Sequence, residues 1–284
     1  MLNVNNIDDG RIIFMGTSSF SVFSIENLLK NNYNLVGVVT NTDRFSVRNK
    51  KLFVESAVKK YARLHALPIL QSDDLKDSIF LETLQKWHTE IIIIVAFRML
   101  PKIVWNKSIY CSFNLHPSLL PSYRGAAPIH WVIMNGETKT GISTFKVNDK
   151  LDLGRMLLQK KISLEMEENN GYLFIRLSEI GASLVIKTIN SIFYNCLAPK
   201  KQTANFKFKM APKLLRVDSK INWKASLKDI YNKIRGISPL PGSWCILEEN
   251  MFKKKEFKIY HASYRFEGAP GEENKIIVYD GVIA

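Results

Sequence analysis

Cysteine is scarce: three residues, Cys111, Cys196 and Cys245, serve a chain of 284. They are odd in number, far apart and without a Cys-x-x-Cys pair, which excludes a disulfide framework and a cysteine-built zinc site, and fits a reducing cytoplasm. Long apolar runs are also missing. The most apolar stretch, "IIIIVAF" at 91–97, falls well short of the roughly 20 residues needed to span a bilayer. The N-terminal "MLNVNNIDDG" has no basic segment followed by an apolar core, so a secretory signal is not expected. "MGTSS" at 15–19 is a strand-to-helix turn without three spaced glycines, so NAD binding has no support. The absence of Gly-x-Ser-x-Gly, His-Glu-x-x-His or clustered Cys/His patterns leaves no sign of a covalent nucleophile or a metal. A soluble cytoplasmic protein that touches no membrane is expected.

What is present is ordinary in texture and unusual in charge. Hydrophobic residues make up 46% and charged residues 23%, as in globular proteins, and the length favours two domains with ample chain for a core. Forty Lys and Arg against 26 Asp and Glu leave a net charge of +14. Such an excess draws a protein toward polyanions, nucleic acid first among them. A lysine-rich and asparagine-rich composition would produce the same excess, and charge alone does not choose between the two.

The first half alternates short β-branched runs with amphipathic segments, the pattern of a parallel α/β sheet. "RIIFMG" (11–16), "LVGVVT" (35–40), "EIIIIVAF" (90–97) and "YCSFN" (110–114) read as strands, with a helix near 20–30. Val54, Ala57, Val58, Tyr61 and Leu64 fall at helical spacing over 53–66. "GISTFKV" (141–147) and "MLLQKKISL" (156–164) read as an antiparallel addition, followed by a long helix over 172–194. "LAPKKQTANFKFK" (197–209) is polar and unpatterned, which predicts a linker. Residues 1–196 then form one domain and 210–284 a smaller, more densely basic one. In the latter, "INW" (221–223) suggests a strand, Ser226 caps a helix with Leu227, Ile230, Tyr231 and Ile234 on one face, and Gly236 lies just past its end. "GSWCIL", "EFKIYHASY" and "KIIVY" are further β-prone runs.

Asn114 and His116 stand two apart at the end of a predicted strand, so their side chains share a face. Carboxyl ends of strands in open α/β sheets are where ligands sit, and an amide beside an imidazole could grip one carbonyl oxygen. A capping Asn and an exposed His account equally for an isolated Asn-x-His. The following Pro117, Pro121 and Gly125 restrict the backbone heavily, which suits a pocket wall better than a simple turn.

The run "FNLHPSLLPSYRGAAPI" (113–129) resembles the signature of the folate-dependent formyltransferases, in the form found in those that act on initiator methionyl-tRNA. Further matches follow in order: "RIIFMGT", "VVTNTDR…KKL" (38–52), "IIIVAFRMLP" (92–101), "LDLG" (151–154) and "INW…IRGISPLPGSW" (221–244). The resemblance implies a Rossmann-like, mostly parallel sheet with flanking helices, followed by a smaller β-rich domain of oligonucleotide-binding barrel type. It implies 10-formyltetrahydrofolate as formyl donor and, as acceptor, the α-amine of methionine on initiator tRNA, with no metal. By position, Asn114 and His116 would stabilise the formyl oxygen, a protonated His116 would assist the leaving nitrogen, and Asp152 would raise the pKa of His116 and move protons. Phe97, Arg98, Met99 and Leu100, with Ser118, Leu119, Leu120 and Pro121, would hold the folate. Arg44, Arg48, Lys50 and Lys51 would meet acceptor-stem phosphates, and relatives of this kind imply a monomer.

Three departures stand out against that pattern. The stretch "RFSVRNK" lacks the usual Pro and Gly, Leu153 replaces a customary threonine, and "KIIVYDGVIA" ends where relatives continue. A shortened barrel and weaker tRNA binding are therefore expected. Two other readings share these residues: a folate-dependent formyltransferase or hydrolase acting on a small amine, and a non-catalytic RNA-binding relative. The basic second domain favours tRNA, and intact Asn114, His116 and Asp152 favour catalysis.

Overall fold

The structure, a computed structural model, describes residues 10–45, 53–203, 208–250 and 253–263. The chain runs through β1 (Ile12–Gly16), α1 (Ser19–Lys30), β2 (Leu35–Thr40), β3 (Arg44–Phe45), β4 (Phe53–Val54), α2 (Ala57–Leu64) and β5 (Ile69–Gln71). It continues through α3 (Ser78–Lys86), β6 (Ile91–Val95), α4 (Lys102–Trp105), β7 (Cys111–His116), α5 (Pro128–Met134), β8 (Lys139–Lys146), β9 (Met156–Ser163) and α6 (Asn170–Phe193). The second unit contributes α7 (Leu227–Ile237), β10 (Ser243–Asn250) and β11 (Lys253–Ile259).

Seven strands form one sheet in the order β5-β2-β1-β6-β7-β8-β9. The first five in that order are parallel, and β8 and β9 add antiparallel. Every residue of β1 and β6 is buried. Ile12, Phe14, Ile91 and Ile93 face one core under α1 and α6, whereas Ile13, Met15, Ile92 and Ile94 face the other beside α3 and α4. A strand covered on both faces has no polar side to show, which explains the unbroken apolar runs. Each such side chain contributes about 1.5–3 kcal/mol through burial. From β1 the chain steps outward to β2 and β5, then returns to β6 on the other flank of β1, opening a crevice at the carboxyl ends of β1 and β6.

Several expectations need correction. The helix read over 53–66 begins only at Ala57, because Phe53 and Val54 pair with Arg44 and Phe45 and the Ser56 hydroxyl caps Lys59 N at 2.9 Å. Val54 and Leu64 are exposed rather than packed. "INW" is no strand: Lys220 forms an isolated bridge to Trp244, and a turn follows. Gly236 does not lie past the end of α7 but inside it, where a Cβ would stand 2.8 Å from Met134 Cγ. The glycine thus lets α7 cross closely over α5, and the expected cap has become a packing contact. Among the described residues the second unit is α7, a short 3₁₀ turn at Arg216–Ser219 and the antiparallel β10–β11 pair, with Ile221, Ile230, Ile234 and Cys245 at its core. Arg48, Lys50, Lys51, "KIIVY" and the expected shortened end of the barrel lie outside the described residues.

Candidate active site

β7 delivers Asn114 and His116 to a cavity of about 510 Å³ at the carboxyl end of the sheet. Ser18 after β1, the 96–100 segment after β6, Gly125 to His130 leading into α5, Asp152 and the start of α6 complete its walls. The cavity therefore lies where the strand order reverses, and the loops that build it leave five different elements.

His116 is only 5% exposed. Its Nε2 lies 2.8 Å from the carbonyl oxygen of Tyr123, and a carbonyl only accepts, so Nε2 carries the proton and donates. Nδ1 is left facing Asp152, whose Oδ2 stands 3.9 Å away, too far for a hydrogen bond. Burial pushes the imidazole below the ordinary histidine value, outweighing the opposing pull of Asp152 and of the Tyr123 carbonyl. Asp152 does raise the pKa, as expected, but burial outweighs it and the net direction is downward.

Asp152 is 7% exposed and adopts φ 51°, the left-handed region that non-glycine residues rarely enter. Its Oδ2 accepts the Gly125 amide hydrogen at 2.9 Å. Gly125 has φ 125°, and a Cβ there would sit 2.3 Å from the Ala211 carbonyl oxygen. No other residue fits between the carboxylate and that backbone. The Asn114 side-chain oxygen is buried with no hydrogen-bond partner among the described residues. Ser18 Oγ, Arg98 Nε and Asn170 Nδ2, on residues lining the same cavity, are among the nine other buried side-chain atoms in that state, and orphans gathered around one cavity point to a polar ligand there.

The predicted folate residues divide. Phe97, Arg98, Met99 and Leu100 line the cavity, although Arg98 is tied by its guanidinium to the carbonyls of Ser72 and Asp73. Ser118, Leu119, Leu120 and Pro121 are not among the lining residues; Pro117 is. The Ser118 carbonyl accepts from Ser143 Oγ at 2.7 Å and the Leu120 carbonyl from Gln159 Nε2 at 3.0 Å, which folds this segment onto β8 and β9 behind His116. Arg44 is exposed on the β3–β4 hairpin, beside the edge-to-face pair Phe45 and Phe53 with centroids 4.3 Å apart. Sequence reasoning passed over Tyr123, Ser18, Asn170 and Gln202. Only Tyr123, inside the signature run, carried any signal. Among the described residues no three His, Cys, Asp or Glu side chains gather as a metal site, and no helix is long and apolar enough to cross a membrane.

Comparison with known proteins gives concordant results. A family model described as formyl transferase matches residues 10–189, and one described as formyl transferase, C-terminal domain, matches 213–280. The chain is 45% identical over 267 residues to a methionyl-tRNA formyltransferase of Flavobacterium johnsoniae, covering 94% of this chain and 84% of that one. It is 43% identical to the methionyl-tRNA formyltransferase of Azobacteroides pseudotrichonymphae, covering 82% and 74%. Among solved structures, an N-formyltransferase from Helicobacter canadensis in complex with folinic acid and dTDP-3-aminofucose superposes with a TM-score of 0.62 at 24% identity, covering 80% of each chain. That likeness shows a shared fold.

Proposed function

The chain belongs to the formyl transferase family, and from that premise we propose that it transfers the formyl group of 10-formyltetrahydrofolate to the α-amine of methionine esterified to initiator tRNA. The observation that carries the acceptor is the 45% identity to a methionyl-tRNA formyltransferase across 94% of the chain, second domain included. The enzyme works as a cytoplasmic monomer on this reading, with Arg44, Arg48, Lys50 and Lys51 meeting the acceptor stem.

The cavity suits both substrates. Phe97, Leu100 and Val147 offer an apolar wall for a flat heterocycle, and the orphaned Asn114 oxygen awaits a donor such as an amine. The bound folate supplies an activated formyl carbon. Asn114 donates through its amide hydrogens to the formyl oxygen as negative charge gathers there, a contribution typically worth about 10²–10³ in rate. Its side-chain oxygen takes a hydrogen of the attacking amine and orients it. His116, held neutral with Nε2–H engaged, has Nδ1 free to accept the proton that the amine sheds, and then returns it to the departing folate nitrogen. Asp152 stabilises the imidazolium that exists between those two transfers. The substrate amine is itself the nucleophile, so the chain's residues need only place charge and move one proton.

Incubation with 10-formyltetrahydrofolate and, separately, charged initiator tRNA, charged elongator tRNA or an amino sugar tests this reading. Formyl-methionyl-tRNA from the initiator is the expected product. A formylated sugar with no formylated tRNA would overturn the assignment.

A further inference from the structure

Gln202 lies in the polar stretch between the two family matches, which end at 189 and resume at 213. Its side chain is nonetheless buried, at 8% exposure. Oε1 accepts from Arg124 Nη2 at 2.6 Å and Nε at 3.2 Å. Nε2 donates to the carbonyl of Asp152 at 2.9 Å and to that of Gly154 at 2.8 Å. A guanidinium only donates and carbonyls only accept, so a single amide orientation satisfies all four contacts.

We infer that Gln202 is a positioning residue for Asp152, clamping the turn that presents the carboxylate; the inference rests on the reading of Asp152 as the site carboxylate. Asp152 occupies a backbone region unfavourable to a side chain, and such a conformation persists only where the surroundings hold it. The Gly125 amide holds the carboxylate tip, and Gln202 holds the backbone on both sides of Leu153. The neighbouring strand pairing of Met156 with Lys200, N to O at 2.8 and 2.9 Å, brings the connecting segment alongside the turn. Gln202 also fixes Arg124, so the charged groups around His116 are set by one amide. A carboxylate that serves a proton transfer loses much of its effect when displaced by about 1 Å.

Steady-state formylation by the full chain tests the inference with Gln202→Leu, Gln202→Glu, Asp152→Asn and the Gln202→Leu/Asp152→Asn double variant. Gln202→Leu is expected to lower kcat by roughly 10–10²-fold with KM for both substrates within about twofold. Gln202→Glu keeps an acceptor for Arg124 but loses both donors, and its kcat should fall at least as far. On the Asp152→Asn background, Gln202→Leu should add nothing further. Full turnover by Gln202→Leu or Gln202→Glu, with Asp152→Asn inactive, would overturn the positioning role and leave the Asp152 reading intact. Full turnover by Asp152→Asn would overturn that reading, and with it this one. If circular dichroism showed that Gln202→Leu lost activity only in proportion to its unfolded fraction, the residue would be structural and the inference wrong.

Discussion

His116 and Tyr123 are joined by a 2.8 Å hydrogen bond from the imidazole Nε2 to a main-chain carbonyl, seven residues along the same loop. The bond fixes which nitrogen is free. With burial holding the ring's pKa below the ordinary histidine value near 6.5, the base is already deprotonated at neutral pH. The acid limb of kcat against pH should therefore fall below about 6.5 and be absent near 7. A limb centred at 7 or above, measured with the charged tRNA kept intact, would contradict a neutral His116.

Asn114→Ala and Asp152→Ala should each lower kcat by about 10²–10⁴-fold. Neither side chain lies on the basic outer surface, so tRNA affinity by filter binding should stay within about twofold. Loss of affinity parallel to loss of turnover would show that the two residues hold the fold instead.

Gly125→Ala introduces a Cβ 2.3 Å from the Ala211 carbonyl oxygen at a φ of 125°. Backbone strain of this kind costs about 1–3 kcal/mol, and relieving it moves the amide that holds Asp152. A melting temperature lower by several degrees and a reduced kcat are expected. An unchanged melting curve would mean that the 209–211 segment yields freely.

Acid should loosen the fold through the buried His116 and the half-buried His130. Burial depresses both His116 and His130, the latter donating through Nδ1 to the Gly236 carbonyl at 2.9 Å. Their folded pKa values lie below the unfolded value near 6.5, so below that pH the unfolded chain binds protons more readily than the native one. Stability is then full above about 6.5 and declines as pH falls toward the folded values. Melting temperatures between pH 7.5 and 5.5 should show the decline, with a shallower slope in His130→Gln. An identical slope in that variant would remove His130 from the account.

The net charge of +14 should make tRNA binding fall steeply with salt, log K declining linearly with log salt concentration. A flat response between 50 and 200 mM would exclude phosphate contacts as the main source of affinity.

The strands of the sheet were legible because β-branched runs such as 91–95 are buried on both faces, a condition that leaves no ambiguity of period. Asn114 and His116 were legible through their spacing and the rigid run after them. What failed depended on partners distant in sequence. Gly236 reads as a helix stop until Met134 of α5 is seen against it. The 118–121 segment reads as a pocket wall until Ser143 and Gln159 draw it backward. Gln202 sits in a stretch whose composition is that of solvent-exposed chain, and nothing local marks it as buried. The sign of the His116 shift likewise depends on how deeply the ring is enclosed, which no pattern of letters states.

The loop that carries Gly125 is laced to residues far along the chain: Tyr123 N to the Lys209 carbonyl at 2.6 Å, Ala211 N to the Arg124 carbonyl at 2.8 Å, and Ala127 N to the Ala211 carbonyl at 3.1 Å. A fragment cut at residue 196, where composition alone would divide the chain, would strip three backbone partners from the cavity rim, at about 1–3 kcal/mol for each group left buried and unsatisfied. The smallest autonomous piece with an intact rim must extend beyond Ala211, so the chain has no clean seam at the point where its composition changes.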